Sequence, residues 1–431
     1  MSLFPDVEDE AWQLHWKGMP EYDNKNLKAN QTLLIKYKED DAEQSVLINF
    51  LSPEDKSEFA KIFKHGVNQQ TKAVLFDGTR EALIKIAGQN ITLNTQSIWF
   101  PKAEFDIVKN SRWTGEWDHP KYPIYIVSKG RWETPITARH LEAMGIDYHI
   151  IVEPQEFDKY NSVGLKGKIL KLDMTFKDRF ETCDNKGDSI AKGSGAARNF
   201  GWWHSSEFYK SERHWIMDDN IFGFYRFTNN RQIKVTNRGA IRCMEDFVDR
   251  YSNIAMAGPN YFLMQPRKIK TPAFVLNTKL YSCNLIKNDL PIRWRGRFNE
   301  DVILSLDMLK AGWCTVQFNA ILQHKAPTQT VKGGNTSVYQ GQYEYEAIDD
   351  KGNFIFDKDG KHVMITGTGT AVKSQLLKRV HPDVTTLVFK FSRDHHEVDY
   401  GKWKQRQLIF KPGIIIPQGI NNYNMELKEN I

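Results

Sequence analysis

The sequence predicts an α/β protein whose central part, residues 120–330, is a mainly parallel sheet flanked by helices. Short apolar segments such as PIYIVSK and DYHIIVEP alternate with amphipathic segments such as TPITARHLEAMG. The amphipathic segments carry helix start and stop signals, with Pro135 in a first turn and Gly145 at an end. Strands and helices that alternate in this way form parallel sheets with right-handed crossovers.

The length of 431 residues predicts more than one domain. Residues 1–115 are expected to form a small α/β accessory module, and a polar linker with glycine and prolines follows at 110–123. The module's predicted strands are QTLLIKY, SVLINF and QSIWFPK, and its predicted helices are SPEDKSEFAKIFK and REALIKIAGQ.

Residues 331–431 are expected to be a loop-rich C-terminal region, with turns and short hairpins in YEYEAIDDKGNFIFDKDGKHVMI. GTGT at 367–370 is interpreted as lacking the strand–helix setting of a dinucleotide-binding loop. Residues 361–431 hold 11 Lys and Arg against 6 Asp and Glu, most of the net charge of +6. This basic surplus fits either contact with a polyanion or an ordinary solvated surface.

The composition also argues against several classes. No apolar run approaches the roughly 20 residues that cross a bilayer, and the acidic start MSLFPDVEDEAWQ does not resemble a signal peptide. The four cysteines lie far apart, which argues against a CxxC metal site and a disulfide scaffold. We therefore expect a cytoplasmic protein.

Two glycine-containing segments could bind a nucleotide. Ser128, Lys129 and Arg131 follow the first strand of the central part, where the carboxyl end of a strand meets ligands in open α/β sheets. KGSGAARN, residues 192–199, opens a helix whose positive end suits a diphosphate. Each segment also has a structural alternative, a basic loop for the first and a glycine-opened helix for the second.

Carboxylates appear at two further positions. Asp218, Asp219 and Asn220 end the apolar strand HWIMDDN, where a carboxylate can hold a divalent cation; the alternative is a turn or a helix N-cap. Glu300 and Asp301 begin the helix of RFNEDVILSLDMLKAGW, where a carboxylate could act as a general base or simply complement the helix dipole. A later strand ends in ILQHKAP, which contains a histidine.

The order of these segments resembles the GT-A glycosyltransferases along 123–330. Within that class, YPIYIVSKGRW, GAARN, WIMDDNI, FNEDV and KFSRDHHEVDY are most similar to the TET-associated glycosyltransferase family of phages. The resemblance implies a GT-A-like, Rossmann-like fold and a nucleotide-sugar-dependent transferase, with UDP-sugar as the donor. It implies the hydroxymethyl group of 5-hydroxymethylcytosine in double-stranded phage DNA as the acceptor, and the infected host cytoplasm as the location.

The resemblance also implies residue roles. Asp301 is the candidate base, with Glu300 as its neighbour. Nucleotide-sugar contacts are assigned to Ser128, Lys129, Arg131, Glu153, Arg198, Asn199 and Asp218. Mn²⁺ or Mg²⁺ is assigned to Asp218, Asp219, Asn220 and His324. Asn220 departs from the superfamily pattern, which has an aspartate there, and this loss of charge puts metal dependence in question.

The acceptor side is assigned to the basic C-terminal region. The candidate DNA contacts are Arg393, His395, His396, Lys402, Lys404 and Arg406, because a buried base must be unstacked by a surface that also neutralises phosphates. A solvated basic helix is an equal alternative for this segment. Two other functions stay open: a transferase acting on protein or glycan, and a non-catalytic DNA-binding protein with a degenerate transferase fold.

Overall fold

The computed structural model describes the backbone of residues 32–39, 42–49 and 73–76, and then residues 119–415 with gaps at 188–190, 229–230, 266–271, 327–340 and 391–392. In the N-terminal module, β1 (Thr32–Glu39) and β2 (Ala42–Asn49) lie at two of the predicted strands, and they pair antiparallel. An unpredicted strand, β3 (Ala73–Phe76), pairs parallel with β1. The module's predicted helices, its last strand and most of the linker lie outside the described residues.

The centre of the described structure is a ten-stranded sheet with the order β6-β5-β4-β7-β12-β10-β13-β8-β9, and β11 pairs with β13. Its strands are β4 (Ile124–Val127), β5 (His149–Val152), β6 (Lys168–Lys171), β7 (Arg213–Asp218), β8 (Ile221–Thr228), β9 (Arg231–Val235), β10 (Ile254–Tyr261), β11 (Phe274–Leu276), β12 (Cys283–Lys287) and β13 (Cys314–Lys325). Strands β4 to β7 pair in parallel, whereas β12 enters antiparallel between β7 and β10. The half that carries the predicted nucleotide segments is therefore parallel, and the other half is mixed.

Helices cover both faces of the sheet. They are α1 (Ile136–Ala143), α2 (Phe157–Ser162), α3 (Thr175–Asp178), α4 (Gly195–Glu207), α5 (Gly239–Val248), α6 (Glu300–Lys310) and, further along the chain, α7 (Gly369–Val380). Ile126 and Met217 pack into the core that includes α1 and α5. Their strand neighbours Tyr125 and Ile216 face the opposite core, with α4 and α6. Strands buried on both faces explain the continuous apolar runs that predicted them.

The parallel pairing sets where the chemistry lies. Val127 at the end of β4 is in register with Asp218 at the end of β7. The residues that follow each strand, Ser128 and Asp219, therefore meet at one edge of the sheet, as the sequence predicted. This carboxyl edge is where ligands bind in open α/β sheets.

The C-terminal region contains the predicted hairpins and more regular structure than the sequence suggested. β14 (Gln342–Glu346) pairs with β15 (Met364–Thr368), and β16 (Thr385–Lys390) pairs with β17 (Arg393–Val398). The alternative of a basic helix is wrong for 393–398, which is a strand. The interpretation of GTGT is also wrong, because this segment does join a strand to a helix, β15 to α7. That strand belongs to an antiparallel hairpin, so the segment still differs from a parallel dinucleotide-binding unit.

The C-terminal region packs on α6. Leu306 and Leu309 of that helix share a buried cluster with Leu377 of α7 and with Trp403. Because α6 begins at Glu300 beside the carboxyl edge of the sheet, this packing brings the β16–β17 hairpin over the same edge. No helix among the described residues is long and apolar enough to cross a membrane.

Candidate active site

A cavity of about 1120 Å³ opens at the carboxyl edge of the sheet. Its walls come from the loop after β4, the start of α4, the end of β7, the start of α6, the end of β13 and the β16–β17 hairpin. Predicted site residues on its walls are Ser128, Lys129, Arg131, Glu153, Arg198, Asp218, Asp219, Asn220, Glu300, Asp301, His395 and His396. The structure thus brings most of the predicted site together.

The loop after β4 is held to Asp219 by a hydrogen bond and an ion pair. Ser128 Oγ donates a hydrogen bond to Asp219 Oδ2 at 2.6 Å, and Arg131 forms an ion pair with the other carboxylate oxygen. Burial raises the pKa of Asp219, although the Arg131 charge opposes that change. Asp219 therefore fixes the shape of the loop, and both of its oxygens are occupied by the loop itself.

Glu153 follows β5 and faces the same wall of the cavity. Its Oε1 lies 3.0 Å from Lys129 Nζ, and Lys177 pairs with the same oxygen. Burial would raise the pKa of Glu153, but the hydrogen bonds from Lys177 and Lys129 outweigh it and lower the pKa. This wall therefore presents an ionised carboxylate held by two lysines beside the end of β5.

Glycines allow α4 to start close to its neighbours. Gly193 has a φ of +81°, and a Cβ there would lie 2.7 Å from the carbonyl oxygen of Arg297. A Cβ on Gly195 would lie 2.4 Å from the ring of Phe180. Between the two glycines, Ser194 Oγ donates to Glu300 Oε1 at 2.8 Å. The small residues of GSGAARN thus bring the starts of α4 and α6 together.

Arg198 is the central cation of the site. Its Nη2 lies 2.7 Å from Asp218 Oδ1, and its Nη1 lies 3.1 Å from Asp301 Oδ1. The guanidinium lies over the ring of Trp294, 4.6 Å from the ring centre. Asn199, predicted to bind nucleotide, instead holds Trp294 through two hydrogen bonds to its backbone. Asn199 therefore positions the ring on which Arg198 rests, and it does not line the cavity.

Asp218 is paired on both oxygens. Arg198 occupies Oδ1, and Lys325 Nζ lies 2.6 Å from Oδ2. Burial alone would raise the pKa of Asp218, but the charges of Lys325 and Arg198 outweigh it and hold this pKa well below its usual range. Asp218 is therefore an ionised carboxylate between two cations.

Asp301 has a different electrostatic environment. Its Oδ1 accepts a hydrogen bond from Asn284 Nδ2 at 3.2 Å as well as from Arg198. Burial and the neighbouring charges of Glu300 and Asp218 raise the pKa of Asp301, Arg198 and Lys325 oppose them, and the net pKa is about 7. A carboxyl group with a pKa near 7 is suited to proton transfer at neutral pH.

The predicted metal ligands do not form a donor set in this arrangement. Asp218 and Asp219 are each engaged on both oxygens by protein groups. Asn220 Oδ1 is buried without a hydrogen-bond partner among the described residues, but it is a single neutral oxygen. Among those same residues, no three His, Cys, Asp or Glu side chains form a metal-binding group.

His324 lies apart from the carboxylates. Its ring packs against Phe222, Tyr225 and Phe262, with ring centres 5.0 to 5.8 Å away. Successive residues of a strand face opposite sides, and the next residue, Lys325, reaches Asp218. A divalent ion beside Asp218 would therefore adjoin an ammonium group. Two like unit charges 4 Å apart near a protein surface repel each other by about 4 kcal/mol, and a divalent cation and an ammonium group at that distance would repel by roughly twice as much.

The predicted acceptor residues separate into two groups. His395 and His396 of β17 line the cavity, where burial lowers the pKa of His396 to about 3. Lys402 pairs with Asp383 at 3.3 Å, and Arg406 donates to the carbonyl oxygens of Leu309 and Trp313, both at 2.7 Å. These cations bind the protein itself near the end of α6. Lys404 is exposed and does not line the cavity. The side chain of Arg393 is outside the part of the chain that the structure describes.

The sequence did not indicate several polar residues of the site. Ser282, just before β12, accepts a hydrogen bond from Lys325 Nζ at 2.7 Å. Tyr261 and Tyr281 stack at 5.6 Å on the same wall, and Lys279 lies beside them. No motif marks these positions, because they are brought there by long-range strand pairing, of β12 with β7 and of β10 with β13. For Lys325, its position next to the predicted His324 was the available signal.

The mixed sheet, the glycine-opened helix and the cavity in which an ionised Asp218 lies near Asp301 fit a GT-A-like glycosyltransferase. Residues 122–334 match the family model described as TET-Associated Glycosyltransferase, so this part of the chain is similar to that family. The match confirms the resemblance that the sequence motifs suggested. No curated protein matches the chain.

Proposed function

We propose that this glycosyltransferase moves a sugar from a UDP-sugar to the hydroxymethyl group of 5-hydroxymethylcytosine in double-stranded DNA, in the cytoplasm. The observation that carries the proposal is the placement of Asp301. It lies in the cavity beside Arg198, and burial keeps its pKa near 7. An alcohol acceptor must lose its proton as it attacks the sugar, so a base with this pKa suits it.

The cavity supplies the other parts of a transfer reaction. Asp301 takes the proton of the acceptor hydroxyl while that oxygen forms a bond to the anomeric carbon. The bond from the anomeric carbon to the diphosphate breaks, and its electron pair leaves with the diphosphate. Arg198 contacts both Asp301 and Asp218. Its positive charge can therefore neutralise the negative charge that develops on the diphosphate as it leaves.

Other parts of the cavity wall support a nucleic-acid acceptor. Besides the histidines of β17, the cavity is lined by three lysines and by a stacked tyrosine pair: Lys279, Lys373, Lys390, Tyr261 and Tyr281. Lysines neutralise phosphates, and aromatic rings stack on an unstacked base. Such a wall fits a base that has been turned out of the duplex toward Asp301.

The acceptor can be tested by labelled-sugar transfer. We expect label from UDP-glucose, UDP-N-acetylglucosamine or UDP-arabinose to enter duplex DNA that contains hydroxymethylcytosine. The same duplex with unmodified cytosine is the matched control and should stay unlabelled. Label that enters only a protein or glycan acceptor would favour the alternative transferase, and DNA binding without any transfer would favour a degenerate one.

A further inference from the structure

The position expected for a metal ion is bordered by a lysine. Lys325 Nζ lies 2.6 Å from Asp218 Oδ2 and 2.7 Å from Ser282 Oγ. The other oxygen of Asp218 is held by Arg198 at 2.7 Å. Two protein cations thus flank the carboxylate to which a divalent ion was assigned from sequence.

We propose that the Lys325 ammonium group, held by Asp218, binds the diphosphate of the donor in place of a divalent cation. This inference rests on the proposed nucleotide-sugar donor. The alternative is that Mn²⁺ or Mg²⁺, the ion predicted from sequence, binds the diphosphate, and UDP binding in EDTA and in MnCl₂ distinguishes the two. The geometry argues for lysine, because Lys325 already lies against Asp218, whereas both oxygens of Asp219 contact Ser128 and Arg131.

The chemistry of an ammonium group suits this role. Lysine has three N–H donors, of which Asp218 and Ser282 engage two. No other residue in the described part of the chain accepts a hydrogen bond from the third donor, and Lys325 lines the cavity, so this donor can reach a ligand there. A lysine side chain ordinarily carries its positive charge at physiological pH.

Lys325 and Arg198 would act together on the leaving group. When the bond between the anomeric carbon and the diphosphate breaks, the electron pair stays on the diphosphate oxygen. Fixed positive groups close to that oxygen stabilise the developing charge without having to reorganise. Both cations are held in place by protein contacts, Lys325 by Asp218 and Arg198 by Asp218 and the ring of Trp294. No proton moves to or from either cation in this step.

The test measures nucleotide binding, so it does not depend on the acceptor. UDP is titrated calorimetrically into the full-length protein in excess EDTA and again in MnCl₂. We expect the two dissociation constants of the wild type to agree. We expect Lys325→Met to weaken UDP binding about 10- to 100-fold, the range for loss of a hydrogen bond to a charged group. Lys325→Arg, which keeps the charge, should recover part of this loss.

Two controls separate binding from folding. Lys210→Met removes a lysine that is 73% exposed, lies outside the cavity lining and pairs with Glu207, so the variant should bind UDP like the wild type. Melting temperatures show whether each variant is folded, and the EDTA comparison on the wild type needs no variant at all.

Two results would overturn the inference and leave the proposed function intact: UDP binding that requires Mn²⁺, or a folded Lys325→Met protein that binds UDP like the wild type. If the wild type binds none of UDP, ADP, GDP or CDP with or without Mn²⁺, the inference and the proposed donor are both wrong.

Discussion

Arg198 Nη1 and Asp301 Oδ1 lie 3.1 Å apart, although 103 residues separate them along the chain. The contact joins the first turn of α4 to the first turn of α6 at the edge of the sheet. It places a permanent positive charge beside a carboxyl group whose pKa burial raises to about 7. The cation and the proton acceptor that we propose for sugar transfer are therefore neighbours.

Replacement of Asp301 by Asn should abolish transfer and spare donor binding. The amide keeps the shape of the side chain but cannot accept a proton in the transition state, and general bases contribute about 10²- to 10⁴-fold. We expect kcat to fall by that factor while the dissociation constant for UDP changes little. Asp289→Asn, at a side chain that is 74% exposed, is the matched control. Full activity of Asp301→Asn would remove the residue from the mechanism.

The pH dependence of transfer should report the same carboxyl group. The ionised form of Asp301 is the active base, so kcat/KM should rise with pH and level off above about pH 7, where the pKa of this group lies. The dependence of kcat/KM on pH reflects groups of the free enzyme. Initial rates between pH 5 and 9 at low donor concentration measure it. A profile that is flat across pH 6 to 8 would contradict the assignment.

Stability should depend on pH through Asp301 as well. Its pKa rises from 3.8 to about 7 on folding, so between these values the folded protein binds more protons than the unfolded chain. The free energy of unfolding therefore falls as the pH rises through this range. Asp301→Asn lacks this dependence. The melting temperature of the variant minus that of the wild type should be more positive at pH 8 than at pH 4; an equal or smaller difference would contradict the raised pKa.

The glycine before α4 should be costly to replace. Gly193 and Gly312 both have positive φ, +81° and +95°, but a Cβ at Gly193 meets a carbonyl oxygen at 2.7 Å and one at Gly312 meets nothing within 4 Å. Both alanine variants incur the backbone cost of about 1–2 kcal/mol. Gly193→Ala should lose about 1–3 kcal/mol more, because the contact forces the backbone to shift. Urea unfolding of the two variants measures the difference, and equal losses would argue against the tight approach.

The sequence anticipated the parallel half of the sheet and its functional edge. Local signals mark the apolar segments that form β4, β5 and β7, and they also mark the glycine-opened α4. Because the carboxyl ends of parallel strands meet at one edge of a sheet, the sequence also predicts that Ser128 lies near Asp219. Long-range pairing decided the rest. His324 and Lys325 are adjacent in a strand, and only the pairing of β13 shows which of them reaches Asp218.

The same limit applies to the C-terminal region. Arg406 looked like a DNA contact because it stands in a basic segment, but the fold directs it to the carbonyl oxygens of Leu309 and Trp313. The hairpin β16–β17 carries His395 and His396 to the cavity through packing on α6, which no local pattern records.

Sugar transfer to hydroxymethylcytosine is tested most directly by mass spectrometry of nucleosides. Duplex DNA containing hydroxymethylcytosine is incubated with the protein and a panel of UDP-sugars, in EDTA and in Mn²⁺, and is then digested to nucleosides. We predict that hydroxymethylcytosine gains the mass of one sugar with at least one donor, and that Asp301→Asn yields no such product. Hydroxymethylcytosine that stays unmodified with every donor under both conditions would contradict the proposed function.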